Sequence, residues 1–205
     1  MIYDISQPVF SCEVYPGDER PEKRAVRRTE AGDLYNLTSF SMCAHNGTHV
    51  DAPFHFLGDG KTVDRVKLEK FIGPAFVAGF DGALSADDAL ALLRRAKAAE
   101  GAGDAWKRLL LRGDAVVTRE AAEVFAASGM DLIGNESQSV GPADAPMAVH
   151  LILLRAEVVL LEGIRLKNVP DGVYLLHCAP LNLEGADGAP CRATLTDPTG
   201  FSFFS

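Results

Sequence analysis

The 205-residue chain has few cysteines, no surplus of positive charge and no long apolar run. Its four cysteines, Cys12, Cys43, Cys178 and Cys191, show no CxxC spacing. That argues against a secreted disulfide framework and a zinc ribbon, and leaves them as reduced, mostly buried thiols. Twenty Lys and Arg against 28 Asp and Glu give a net charge of −8, so the overall field repels a phosphate backbone and argues against a nucleic-acid partner. No stretch reaches the roughly 18 consecutive apolar residues of a membrane span, and MIYDISQPVF lacks the basic and long apolar regions of a secretory leader. The expectation is a cytoplasmic protein without a membrane partner. What is present, 47% hydrophobic and 23% charged residues, is the composition of a chain that buries a core, and its length suits one domain over residues 1–205.

Patterning predicts a mixed α/β domain. IYDISQPVF reads as a strand, VYPGDERPEK as a turn and loop, and a polar connector leads to a strand over Tyr35 to Met42. FIGPAFVAGF reads as a buried strand broken at Gly73-Pro74. Ser85 is placed to cap a helix through ADDALALLRRAKAA that ends near Gly101, and Thr118 one that Gly129 closes. Pro146 opens a helix over MAVHLILLRA, while WKRLLLRGD, MDLIG, EVVLLEG and GVYLLHCAPL read as strands. Strands alternating with helices argue for an α/β fold without a linker.

Three of the five histidines, His45, His49 and His55, fall within eleven residues together with Asp51. On a helix, at about 100° per residue, His45 and His49 would share a face while Asp51 and His55 lay roughly opposite. In extended chain the even separations send all four side chains to one side, but a straight strand would hold the end histidines roughly 33 Å apart. The segment must therefore curl if several of these side chains are to reach one ion, and Gly47 and Pro53 supply bends. Imidazoles with a carboxylate suit Zn²⁺, with Mn²⁺ or Fe²⁺ also accepted, and His55, beyond Pro53, is expected to stand off the ion. His150, on the helix after Pro146, and Glu162, ending the apolar run VVLLE, are candidates for further donors. The competing readings are a polar hydrogen-bonding loop for His45, His49 and Asp51, a structural histidine at a turn for His55, and a satisfied core histidine and strand-end carboxylate for His150 and Glu162. His177 is expected to be structural, and GADG after Glu184 a turn, since no Lys-Ser/Thr follows it as in a phosphate loop.

The run HNGTHVDAPFHF from His45 to Phe56 resembles the HxGTHxDxPxH signature of the cyclase-like metal hydrolases, the family that includes bacterial kynurenine formamidase and isatin hydrolase. The likeness extends to YPGD at Tyr15 to Asp18, LIG at Leu132 to Gly134, His150 with Glu162 twelve residues later, and LNLEGADGAPCRA at Leu181 to Ala193. It implies a swivelling β/β/α fold, a mixed β-barrel-like sheet flanked by helices. It further implies that His45, His49 and Asp51 bind a first metal, that Asp51 bridges to a second, that His150 and Glu162 complete the pair, and that His55 is the acid/base. One or two Zn²⁺ ions, or Mn²⁺, would serve hydrolysis of a C–N bond in a small amide, N-formyl amide or lactam by metal-activated water. The resemblance also implies a homo-oligomer, dimer or tetramer. Tyr15 stands where the formamidases usually carry Trp, and Asn135 to Gly141, NESQSVG, where they carry a D-T-P-S-V-D stretch, which puts Glu136 and Gln138 near the expected pocket. Two other activities compete with hydrolysis: a cyclase or dehydratase using the ion as Lewis acid, and a non-catalytic metal protein with a closed site.

Overall fold

The fold is that of a computed structural model, which describes residues 1–197. The last eight residues of the expected domain, 198–205, lie outside the described residues. In chain order the elements are β1 (Ile2–Asp4), β2 (Glu22–Arg27), β3 (Leu37–Ser41), β4 (His49–Asp51), β5 (Ile72–Gly79) and β6 (Gly82–Leu84). They continue with α1 (Ala86–Ala98), β7 (Arg108–Arg112), β8 (Ala115–Val117), α2 (Arg119–Ser128), β9 (Leu132–Asn135) and α3 (Met147–Arg155). β10 (Val159–Glu162), β11 (Gly172–His177), β12 (Gly188–Pro190) and β13 (Thr194–Thr196) complete the described chain.

Nine strands form one sheet in the order β1-β13-β11-β5-β7-β9-β10-β4-β12. The β5, β7, β9 and β10 ladders are parallel and the flanking ones antiparallel, so the sheet is mixed and curls into an open half-barrel, as the expected fold class requires. The helices follow from their sequence. Ser85 and Asp88 close a capping box on α1, which buries Ala89, Leu92, Leu93 and Ala96, spaced three and four apart as one helical face requires. Thr118 caps α2 through the Ala121 N–H, and Gly129 ends it at φ +79, where a side chain would be strained.

Alternation along the central strands divides the core. Leu109, Leu111 and Leu160 face a layer with the buried residues of the three helices, whereas Leu110, Val159 and Leu161 face a second layer with Val50, Phe71 and Tyr174. Truncating the fully buried Leu109 to alanine is expected to cost about 2–5 kcal/mol.

The structure corrects several expectations. β5 runs unbroken through Gly73-Pro74; the β7 ladder begins only at Phe76, so at Pro74 the strand has β11 alone as a neighbour and tolerates a residue without an N–H. β2 spans the end of the expected loop and the start of the polar connector, and pairs with β3 as a separate two-stranded arm. Every residue of both strands is exposed, so no alternation marked β2 in the sequence. Within the first predicted strand only Ile2–Asp4 pairs as a strand, α1 ends at Ala98 rather than near Gly101, and the last predicted strand stops at His177.

Candidate metal centre

The β4–β10 ladder brings the first three side chains together. Its register sets Glu162 opposite His49 and Leu160 opposite Asp51. Directly paired residues share a face, so His49, Asp51 and Glu162 project on the side of Leu160, towards the helices. There α3 presents His150 on its buried face, beside Val149 and Leu153. The β4 strand is short because turns bound it on both sides. A bend at Gly47, φ +66, returns His45, and a single helical turn over Pro53–His55 returns His55. The two rings, roughly 33 Å apart in a straight strand, stack at 4.0 Å. His45 lies over Gly188 of β12, where a Cβ would meet its Cε1 at 2.6 Å and the Val50 carbonyl oxygen at 2.6 Å, so this position has room only for glycine.

Donor atoms converge on Asp51. His49 Nδ1 donates to the Gly47 carbonyl at 2.9 Å and His150 Nδ1 to the Pro146 carbonyl at 2.9 Å, which fixes both rings with Nε2 inward. His49 Nε2 stands 3.4 Å from Asp51 Oδ1 and 3.4 Å from Glu162 Oε2; His150 Nε2 stands 3.6 Å from Asp51 Oδ2 and 3.3 Å from Glu162 Oε1. These spacings exceed a good hydrogen bond, yet they match the edge of about 3.3 Å of a tetrahedron of donors 2.0–2.1 Å from one cation. Asp51 is 1% exposed and its Oδ2 has no hydrogen-bond partner. A buried carboxylate oxygen without a partner is costly unless a cation faces it. The residues present thus fit divalent cations in two overlapping sets, His45 with His49 and Asp51, and Asp51 with His150 and Glu162. The Val140 N–H donates to Glu162 Oε1 at 2.8 Å and holds that carboxylate in place.

Electrostatics follow from this crowding. Burial disfavours a charged His49 ring, but Asp51 and Glu162 outweigh it and raise its pKa to about 10. His45, opposed by burial and supported by Asp187 and Asp51, rises to about 9, and His150 is raised by Glu162 against burial. Asp51 is held well below the usual carboxylate range by His45 and His49, although burial acts the other way. Asp187 is held low by its hydrogen bonds to His45 and His55. Perturbed ionisable groups cluster at functional sites, and structural ion-pair networks shift pKa values in the same way.

A cavity of about 210 Å³ opens on the cluster, lined by Tyr15, Asp18, His55, Phe56, Gln138, Ser139 and Pro146 together with His45, His49, His150 and Glu162. Both amide atoms of Gln138 and the Ser139 hydroxyl are buried and lack a hydrogen-bond partner.

The family model described as "Putative cyclase" matches residues 3–142. The chain belongs to the cyclase family. It is 34% identical over 212 positions to a kynurenine formamidase of Salinibacter ruber (strain DSM 13855 / M31), an alignment covering 96% of this chain and 97% of that one. A kynurenine formamidase of Erythrobacter litoralis (strain HTCC2594) is 30% identical, covering 96% and 94%. Among solved structures, a potential metal-dependent hydrolase with cyclase activity superposes with a TM-score of 0.78 at 27% identity, over 95% of this chain and 96% of that one. Isatin hydrolase A from Labrenzia aggregata shares the fold, with a TM-score of 0.79 at 20% identity over 95% and 93%. The cyclase-family chain is accordingly a hydrolase, and its fold is the one expected.

In this cyclase-family structure His45, His49, Asp51, His150 and Glu162 lie together, with His55 at the rim. Glu136 does not reach the cavity: its carboxylate accepts the backbone N–H groups of Gly113 and Leu166, which draws it to the other side of the loop. His177 is exposed at the end of β11, outside the cavity lining. Asp187 was missed, because an acidic residue in GADG reads as a turn former. Its signal was its place within LNLEGADGAPCRA. No described helix is long and apolar enough to cross a membrane.

Proposed function

We propose that this cyclase-family enzyme hydrolyses the C–N bond of a small amide, N-formyl amide or lactam, with one or two Zn²⁺ ions, or Mn²⁺, held by His45, His49, Asp51, His150 and Glu162. The observation that carries the reading is the spacing of 3.3–3.6 Å between inward imidazole nitrogens and carboxylate oxygens around the unpartnered Asp51 Oδ2. The formamidase names of the curated relatives support the substrate class.

A bound divalent cation supplies a Lewis acid and lowers the pKa of water from 15.7 to about 7. The chain does the rest. His55 Nδ1 lies 3.1 Å from Asp187 Oδ2, which leaves Nε2 to take the proton of the attacking water and deliver it to the nitrogen that leaves. One C–O bond forms, the C–N bond breaks, and the products are a carboxylate and an amine. Phe56, Pro146 and Tyr15 give the cavity walls against which a flat substrate packs. At about 210 Å³ the cavity is below the roughly 300–1,000 Å³ of drug-sized pockets, which favours a substrate of few atoms.

The test is a panel of N-formyl amides and lactams with zinc- or manganese-loaded protein in ¹⁸O water. Hydrolysis places one solvent oxygen in the carboxylate product, whereas the competing cyclase or dehydratase chemistry does not. Turnover of no panel member, or product free of label, overturns the proposal.

The same reading takes residues 1–205 as one domain, since both core layers share one sheet. Four free cysteines suit the reducing cytoplasm. Exposed Val26, Leu34, Leu37 and Phe40 on the β2–β3 arm, Leu34 at 97%, support a homo-oligomer, which light scattering would measure.

A further inference from the structure

Asp187 stands in the turn before β12, 142 residues from His45 in sequence and 132 from His55, and bonds to both. Its Oδ2 is 2.8 Å from His45 Nε2 and 3.1 Å from His55 Nδ1. The two rings stack face to face, 29° between planes, over this one oxygen. The backbone beneath is fixed: Ala52, one residue past β4, donates to the Asp187 carbonyl at 2.9 Å, and Val63 to the Ala186 carbonyl at 2.9 Å. The carboxylate is therefore tied to the strand that carries His49 and Asp51.

An ionised carboxylate only accepts hydrogen bonds, so each imidazole must present an N–H to it. His45 meets a carboxylate at each nitrogen, Nε2 at Asp187 and Nδ1 2.8 Å from Asp51 Oδ1, so without a cation both present an N–H; a cation beside Asp51 would take the place of the Nδ1 proton, and Asp187 would keep the one on Nε2. For His55 the N–H is on Nδ1, and Nε2 is left as the proton acceptor. An isolated neutral imidazole can adopt either tautomer, and only one of them places a lone pair where each ring needs it.

We propose that Asp187 is a positioning residue that fixes the tautomer and ring plane of His45 and His55 together, so that one carboxylate sets both the first cation's ligand and the general base. The inference rests on the hydrolase reading for the role of His55. Asp187 itself exchanges no proton in the reaction. It acts on the ligand as carboxylates behind metal-bound histidines do, and on the base as an orienting partner. A rival assignment exists on the same atoms, because His45, His55 and Asp187 converge closely enough to hold a cation themselves.

The experiment compares zinc-loaded wild type, Asp187→Ala and Asp187→Asn, each also in a His55→Ala background, using ¹⁵N-histidine ring signals, zinc titration and kinetics. The expected results for Asp187→Ala are loss of the single Nδ1–H tautomer at His55, an unchanged zinc count at saturation, and zinc affinity about tenfold weaker through His45. In addition kcat falls about 10–100-fold with KM within about threefold, and the fall disappears in the His55→Ala background. Asp187→Asn keeps the side-chain volume and gives the same readings in milder form should the alanine variant fail to fold. An unchanged His55 tautomer, a zinc ion lost at saturation, or an equal fall in kcat without His55 overturns the proposal. The ring signals and zinc count need no substrate. Failure of the amide panel would therefore remove the hydrolytic reading and still leave the positioning role to be judged separately.

Discussion

Glu162 faces His49 directly across the β4–β10 ladder, with Oε2 3.4 Å from His49 Nε2 and Oε1 3.3 Å from His150 Nε2. One strand-end carboxylate thus joins a candidate donor from the signature segment to one on α3, 101 residues later. The set Asp51, His150 and Glu162 therefore draws on three separate segments, unlike His45, His49 and Asp51, and its donors meet only once the sheet and α3 are assembled.

Glu162→Gln tests this. The amide oxygen still accepts the Val140 N–H, so the loop stays in place, while the charge and one donor oxygen are lost. Cation binding at 100 times Kd stabilises by about 2.7 kcal/mol, which for a chain of this size is a Tm difference of about 5–10 °C between loaded and chelated protein. The variant is expected to bind at least one ion fewer per chain by elemental analysis and to lose most of that difference. A wild-type metal count would contradict the assignment.

Much of the site was legible because its residues are near one another in sequence. His45, His49, Asp51 and His55 share a spacing that no helix accommodates, and Gly47 with Pro53 supplied the bends for the curl that convergence on one ion requires. The helix ends at Ser85, Thr118 and Gly129 were legible for the same local reason. Asp187 was not, since nothing within a few residues tells a turn aspartate from one that reaches across the sheet to two imidazoles. β2 was hidden by solvent on both faces, which removes the alternation that marks a strand.

The pH response should differ in sign between chelated and loaded protein. In the chelated chain His45 and His49 are raised to about 9 and about 10, above the unfolded value of 6.5. Their contribution is fully present below about pH 6.5 and is lost as pH rises through those values. Asp51 and Asp187 are lowered, so theirs is present above about pH 3.8 and lost as pH falls through their folded values. Cations need neutral rings, so their binding strengthens over the range in which the ion pairs weaken. Tm measured from pH 6.5 to 10 is expected to fall with chelator present and to hold or rise with saturating zinc. A chelated Tm that stays level over this range would argue against the paired imidazoles.

His55→Ala separates binding from chemistry. The ring lines the cavity, and its contacts to the donor cluster are with Asp187, the stacked His45 and the edge of His150 rather than with Asp51 or Glu162. Metal content by elemental analysis should match wild type, whereas general acid–base catalysis of about 10²–10⁴-fold is lost from kcat. Full turnover in this variant would move the proton-transfer role elsewhere.

Gln138 gives the prediction with opposite effects on stability and function. Its side-chain nitrogen and oxygen are both buried without a hydrogen-bond partner, in a residue that lines the cavity beside Ser139. An unsatisfied buried polar group costs about 1–3 kcal/mol, so Gln138→Leu, of similar size and without polar atoms, should raise Tm by at least about 2 °C. Natural sequences retain such a penalty where binding uses the group, and a carboxamide offers both an acceptor and donors to a substrate amide. The variant is therefore expected to be more stable than wild type and to show a KM raised several-fold with a smaller change in kcat. A lower Tm with unchanged KM would mean that the carboxamide supports the fold rather than the substrate.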